Sequence, residues 1–201
     1  TLREQHGWDP VLWVGTMNIP EFENNDLLKG AIFYEHPDAR RAIPPKNIPN
    51  LELPAIDAKL LEKLSKHENE IFEMMSRFLL NKDHFSYDDR KHLYYNLLRV
   101  WTAIIRKLNV DIVIIGSVPH RVYDYVIYLL CQEMGITYLM IEQTSMAHLS
   151  YSVSSITDRS RALREKFHKI PEDFTLSPAT LECLKKVQGD YENAMPLAFK
   201  E

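Results

Sequence analysis

Apolar and polar positions follow two rhythms along this chain, one with the period of a strand and one with that of a helix. Ile112-Val113-Ile114-Ile115 is β-branched throughout and stops at Gly116-Ser117, the pattern of a strand buried on both faces of a parallel sheet. Pro119 is a helix-start signal, because proline in a first turn has no hydrogen-bond donor to lose. Val122, Val126, Leu129 and Leu130 recur at helical spacing until Gly135, a residue suited to ending a helix. Ile136 to Ile141 is a second apolar run. Strand, helix and strand within about thirty residues predict a βαβ unit with a right-handed crossover. Ligands collect at the carboxyl ends of such strands. Ser117, His120, Glu142, Thr144 and Ser145 fall there.

The same reading covers the rest of the chain. Leu2 to His6 is a short helical pattern stopped by Gly7, and Val11 to Val14 and Ala31 to Tyr34 are short strands. Residues 16–29 read as a loop with one turn of helix. Pro44, Pro45, Pro49 and Pro54 make the following segment an extended surface connection. Leu60, Leu61, Leu64, Ile71, Met74, Met75 and Phe78 mark the apolar face of one long helix from Ile56 to Leu80. Ser86, with Asp89 three residues on, caps a second helix that runs to Lys107 and ends at Asn109. Its inward face is Tyr94, Leu97, Leu98, Trp101, Ile104 and Ile105. Residues 146–156 are a strand or a binding loop, 158–169 are helical, and Leu181 to Val187 form one more short helix. These elements predict an α/β fold: a Rossmann-like three-layer sandwich with a mostly parallel sheet of at least four strands. That domain spans residues 1–157. A helical tail, 158–201, leads towards a second domain, so the chain reads as the N-terminal half of a longer protein.

Composition narrows the function. A formal net charge of −4 over 201 residues gives no strong electrostatic case, taken over the whole chain, for nucleic acid or anionic lipid. Cys131 and Cys183 cannot build a disulfide framework; Cys131 lies inside the apolar helix pattern as a buried thiol, which fits a reducing cytoplasm. No apolar run approaches the roughly twenty residues that span a bilayer, so no integral membrane segment is expected. There is no G-x-G-x-x-G, P-loop or G-x-S-x-G. The histidines lack metal-ligand spacing, and neither a metal nor a cofactor is expected.

The candidate chemistry sits at the strand ends. Ser117-Val118-Pro119-His120 puts backbone N–H groups and an imidazole at the mouth of the sheet, which suits an anionic or polyhydroxylated ligand; packing of His120 against the first turn is the other reading. Arg121 adds a charge beside it. Adjacent parallel strands would bring Glu142 within about 10 Å of His120, where carboxylate and imidazole could orient a sugar hydroxyl or share its proton. Pairing with a neighbouring helix terminus, or a solvated position, is the alternative for Glu142. His36, beside Pro37, is a turn residue or a further ligand contact. His67 reads as a solvated surface position. Asp124 shares a helix face with Tyr128.

Met74-Met75-Ser76-Arg77, Tyr94-Tyr95 with Leu97-Leu98 and Trp101, Asp111 to Ile114, Pro119-His120 with Asp124-Tyr125-Val126, Tyr128 and Leu130-Cys131, and Gly135-Ile136 through Ile141 to Thr144 together resemble bacterial capsule and surface-polysaccharide biosynthesis proteins. The resemblance covers roughly residues 55–160. It implies the N-terminal domain of a glycosyltransferase of the two-Rossmann-domain (GT-B) type. On that resemblance the domain contacts the sugar acceptor, the nucleotide-sugar is held mainly by the second domain, and the fragment alone is inactive. The resemblance carries over no catalytic residues; from the strand-end reading, His120 and Glu142 are the candidate catalytic pair, and His36, Ser117, Arg121, Thr144 and Ser145 the candidate ligand contacts. A non-catalytic binding or scaffold module of the same machinery is the competing reading.

Overall fold

The computed structural model describes residues 2–16, 19–77, 85–144, 150–157 and 160–189. Its helices are α1 (Leu2–His6), α2 (Ile19–Glu23), α3 (His36–Arg40), α4 (Ala58–Leu64), α5 (Glu68–Ser76), α6 (Tyr87–Lys107), α7 (Val122–Met134), α8 (Arg161–Phe167) and α9 (Pro178–Gly189). The strands are β1 (Leu12–Gly15), β2 (Ile32–Glu35), β3 (Ile112–Ile115), β4 (Thr137–Gln143) and β5 (Ser150–Val153). The chain divides into two compact units, one of Thr1–Val113 with Pro119–Thr137, the other of Ile114–Val118 with Tyr138–Glu201.

The predicted sheet is not what forms. β1 and β2 pair in parallel, Leu12 opposite Ile32 and Gly15 opposite Glu35, as a two-stranded sheet. A separate three-stranded sheet has the order β3-β4-β5. The Thr137 N–H donates to the Asp111 carbonyl at the start of β3 and β4, so these two run the same way. β5 returns antiparallel, Met140 opposite Val153. A Rossmann-like sandwich on four or more mostly parallel strands is therefore overturned by two small sheets, one of them mixed. The β-branched run that suggested a doubly buried strand leaves Ile114 44% exposed. With 51% of the residues helical, packing between helices carries the core.

In the first unit that core centres on α6 and α7. Ser86 Oγ accepts the Asp89 N–H at 3.1 Å, and the Asp89 carboxylate accepts the Ser86 N–H at 3.0 Å, a reciprocal cap satisfying two orphan donors. Asn109 ends the element at φ 47, a left-handed conformation that asparagine tolerates. All six residues assigned inward on α6 are buried. In α7 every residue from Val122 to Cys131 is buried, as expected of a helix apolar all round. Gly135, at φ 70, closes it. Cys131 is fully buried, which pushes its thiol up to about 12.

Three local expectations need correction. The helix drawn from Ile56 to Leu80 is two, α4 and α5, joined by a 3₁₀ turn at Ser65–His67; residues 78–80 lie outside the described residues. Ser65 Oγ donates to the Glu62 carbonyl at 2.7 Å, competing with the helical ladder there. The proline-rich segment runs largely over the surface, as expected, but it is turned and anchored rather than extended. Ala42, Pro45 and Ile48 are buried, Tyr34 Oη donates to the Ile43 carbonyl at 2.6 Å, and Arg99 Nε donates to the Pro54 carbonyl at 3.0 Å. Finally, α7 starts at Val122 with Arg121 as its cap, so Pro119 precedes the helix.

Candidate functional site

Asp124 decides where α7 begins. Its Oδ1 accepts the Arg121 N–H at 2.8 Å and its Oδ2 the His120 N–H at 3.2 Å, while the residue is 1% exposed. Burial drives its carboxyl up to about 6, against the opposing pull of the backbone N–H groups and of His120; desolvation outweighs hydrogen bonding here. His120 stands over this cap with its side chain 57% exposed, Nδ1 lying 4.0 Å from Asp124 Oδ2.

Arg121 turns the other way, towards the end of β2. Its Nη1 lies 2.8 Å from His36 Nε2. A guanidinium only donates, so Nε2 is the acceptor and His36 is the neutral tautomer protonated on Nδ1. Burial first, then the charges of Arg121 and Arg40, hold the imidazole below the ordinary histidine value. The ring packs edge-on against Tyr123, centroids 5.5 Å apart, and Tyr123 stacks on Trp101 at 5.9 Å and 16°. An aromatic wall continuous with the core thus fixes a neutral imidazole between cationic groups.

No protein-family model, curated protein or solved structure matches the chain. The site therefore rests on its own geometry.

Two of the candidates, His36 and Arg121, are brought into direct contact, and His120 precedes Arg121 in sequence, all in the first unit. Ser117, Glu142 and Thr144 belong to the second. There Glu142 lies within β4 rather than after it, and its Oε1 accepts the Val118 N–H at 2.9 Å. Its carboxylate ties the loop after β3 to the sheet. Ser117 Oγ donates to the Val118 carbonyl at 3.3 Å, and Thr144 is exposed just beyond β4. Ser145 lies outside the described residues. Among those residues no group of three His, Cys, Asp or Glu side chains is placed to hold a metal ion.

The sequence reading missed one polar cluster. His67, taken as a solvated position, has a side chain only 23% exposed. Its Nδ1 lies 3.1 Å from Tyr125 Oη and 3.3 Å from Glu70 Oε2, and Tyr125 Oη donates a short hydrogen bond to the same carboxylate oxygen. The Tyr125 bond is the main force holding Glu70 below its ordinary value. These three groups fasten α5 and the turn before it to α7. His67 and Glu70 at i, i+3 were a visible signal; Tyr125, 55 positions away, was not.

Proposed function

We propose that the first unit is an acceptor-side ligand-holding part of a glycosyltransferase in surface-polysaccharide assembly. The observation that carries this reading is the Arg121–His36 contact, which joins the start of α7 to the end of β2. Fixed guanidinium and imidazole groups beside an aromatic wall recognise hydroxyl-rich or anionic ligands through hydrogen bonds in defined directions. His120, largely exposed above the buried Asp124, is the group in this unit best placed to meet a sugar hydroxyl and exchange its proton. The resemblance of residues 55–160 to capsule biosynthesis proteins supports the substrate class: a sugar acceptor here, with the nucleotide-sugar held mainly by a further domain. Among the described residues no helix is long and apolar enough to cross a membrane. A cytoplasmic site of action fits the reading.

The second reading, a non-catalytic binding module, is favoured by Glu142. Its carboxylate is engaged with the Val118 backbone, as a structural group would be. His120→Ala in the intact protein separates the two. Under the first reading transfer from a nucleotide-sugar falls about a hundredfold or more, the scale of a lost acid–base contact, while the melting temperature is unchanged. Unchanged turnover removes His120 from the site. Titration of the chain with oligosaccharides and nucleotide-sugars gives the second measure: saccharide binding supports the acceptor role, and tight nucleotide binding by the chain alone counts against the proposed division of labour.

A further inference from the structure

The second unit carries a surface unrelated to the His36–Arg121 site. From Ser160 to Ala179 every residue is exposed. Within that stretch Leu163, Phe167 and Ile170 are 43%, 70% and 44% exposed. Their i, i+4, i+7 spacing puts them along one side of α8 and the turn that follows it, where the Ile170 N–H donates to the Phe167 carbonyl at 3.1 Å. The three line a shallow, open hollow of ≈ 440 Å³ together with Arg164 and Lys166. Phe174 and Leu176 extend the exposed apolar surface.

Charge distinguishes this stripe from a chance patch. Residues 160–170 hold Arg161, Arg164, Lys166 and Lys169 against Glu165, a net +3 in a chain whose formal charge is −4; Glu172 and Asp173 follow before Phe174, so the basic excess is confined to α8 and the turn after it. Arg161 Nε pairs with Glu165 Oε1 at 3.0 Å. The basic side chains therefore flank apolar tips on a segment that opposes the charge of the rest of the protein.

We propose that this face rests on an anionic lipid surface, with α8 in the headgroup plane and Leu163, Phe167 and Ile170 entering the acyl boundary. The charge selects an anionic occupant, and the shape selects among anionic ones. An acidic partner helix needs a cleft to enter, whereas here the apolar tips stand on an open face that matches a planar film. Lys166 and Arg164 have stems long enough to lie on the apolar surface while their heads reach headgroup phosphates. A seven-residue helix whose described residues are all exposed is marginal in water, and burial of one side against lipid would order it. This inference does not depend on the sugar-transfer reading.

Flotation of the 201-residue chain with vesicles tests it. Phosphatidylcholine vesicles containing phosphatidylglycerol should bind the chain at least about tenfold more tightly than phosphatidylcholine alone, and raising salt from about 0.05 M to about 0.5 M should release it. Phe167→Ser with Ile170→Ser should lower binding to the anionic vesicles by about tenfold or more, with circular dichroism and thermal melting as in the wild type because both positions are exposed. Arg164→Glu with Lys166→Glu should abolish the preference for anionic lipid, an independent check should the serine pair perturb the fold. Failure of the wild-type chain to float with anionic vesicles overturns the proposal, as does equal binding by both variants. Self-association in sedimentation that Phe167→Ser abolishes would assign the face to a second copy instead.

Discussion

α7 and α8 both set apolar side chains at helical spacing, and the two are used in opposite ways. α7 is buried from Val122 to Cys131 and finished at both ends, by the Asp124 carboxylate and by Gly135 in the left-handed region. α8 is exposed throughout, and among the described residues its N-terminal turn carries local hydrogen bonds from Arg164 to Ser160 and from Arg161 to Glu165. Apolar content alone does not make a helix part of a core. What gives α7 its stability is tertiary burial, at about 25 cal/mol for each Å² of apolar surface removed from water.

The largest effect that could break this contrast is a pair of truncations. Leu130→Ala, at a fully buried position, should cost about 2–5 kcal/mol through lost transfer energy and the cavity left behind. Leu163→Ala on α8 should change stability by no more than about 0.5 kcal/mol. Both are read from denaturant midpoints. Equal costs would mean that α8 is packed in solution, and the contrast would fail.

An effect of intermediate size concerns Asp124. Asp124→Ala, measured at about pH 4 where the carboxyl stays protonated in the fold, leaves the His120 and Arg121 N–H groups without their acceptor and should cost about 1–2 kcal/mol, the usual worth of a helix cap. The pH dependence sharpens the point. Burial raises this carboxyl from 3.8 to about 6, so the folded state keeps a proton that the unfolded state has released. The contribution is complete below about pH 4 and disappears as pH rises through about 6, on the order of 3 kcal/mol in all. Asp124→Asn cannot ionise, so stability measured across that window should lose this slope. A wild-type protein whose stability rises over the same interval, with no difference in the Asn variant, would show that Asp124 ionises as it does in the unfolded chain.

How much of this was legible beforehand depended on range. The Ser86–Asp89 cap, the inward face of α6, the Gly135 stop and the buried Cys131 are written in residues within a turn or two of each other, and the pattern states them directly. The sheet is different. A four-residue apolar run such as Ile112 to Ile115 says that a strand is favoured, but its partners and their direction are set by backbone pairing with distant segments. Two small sheets and one large one thus look alike in the pattern. The site divides in the same way. His36 and Arg121 were each visible as chemistry at a strand or helix end, yet their contact spans 85 positions and depends on α3 and α7 coming together. Glu142 was expected beyond its strand because the apolar run stops at Ile141; pairing carries β4 on to Gln143.

The smallest effect is also the most specific to the site. With its charge disfavoured by burial and by Arg121 and Arg40, His36 should titrate below the ordinary 6.5. The unfolded state then takes up the proton first, so stability falls as pH drops below 6.5 towards the folded value, the opposite sign to Asp124 across its own window. Arg121→Ala removes both a neighbouring charge and the donor that holds Nε2 as an acceptor. The His36 value, followed through its ring Cε1–H resonance by NMR, should then move up towards 6.5 while the melting temperature changes little. A low value unmoved by Arg121→Ala would leave burial and Arg40 as the whole cause, and the guanidinium–imidazole contact would lose its place as the element organising the site. A coincident rise with Arg121→Ala and fall in ligand affinity would tie the two residues to one recognition surface, a coupling that neither truncation in α7 nor truncation in α8 can produce.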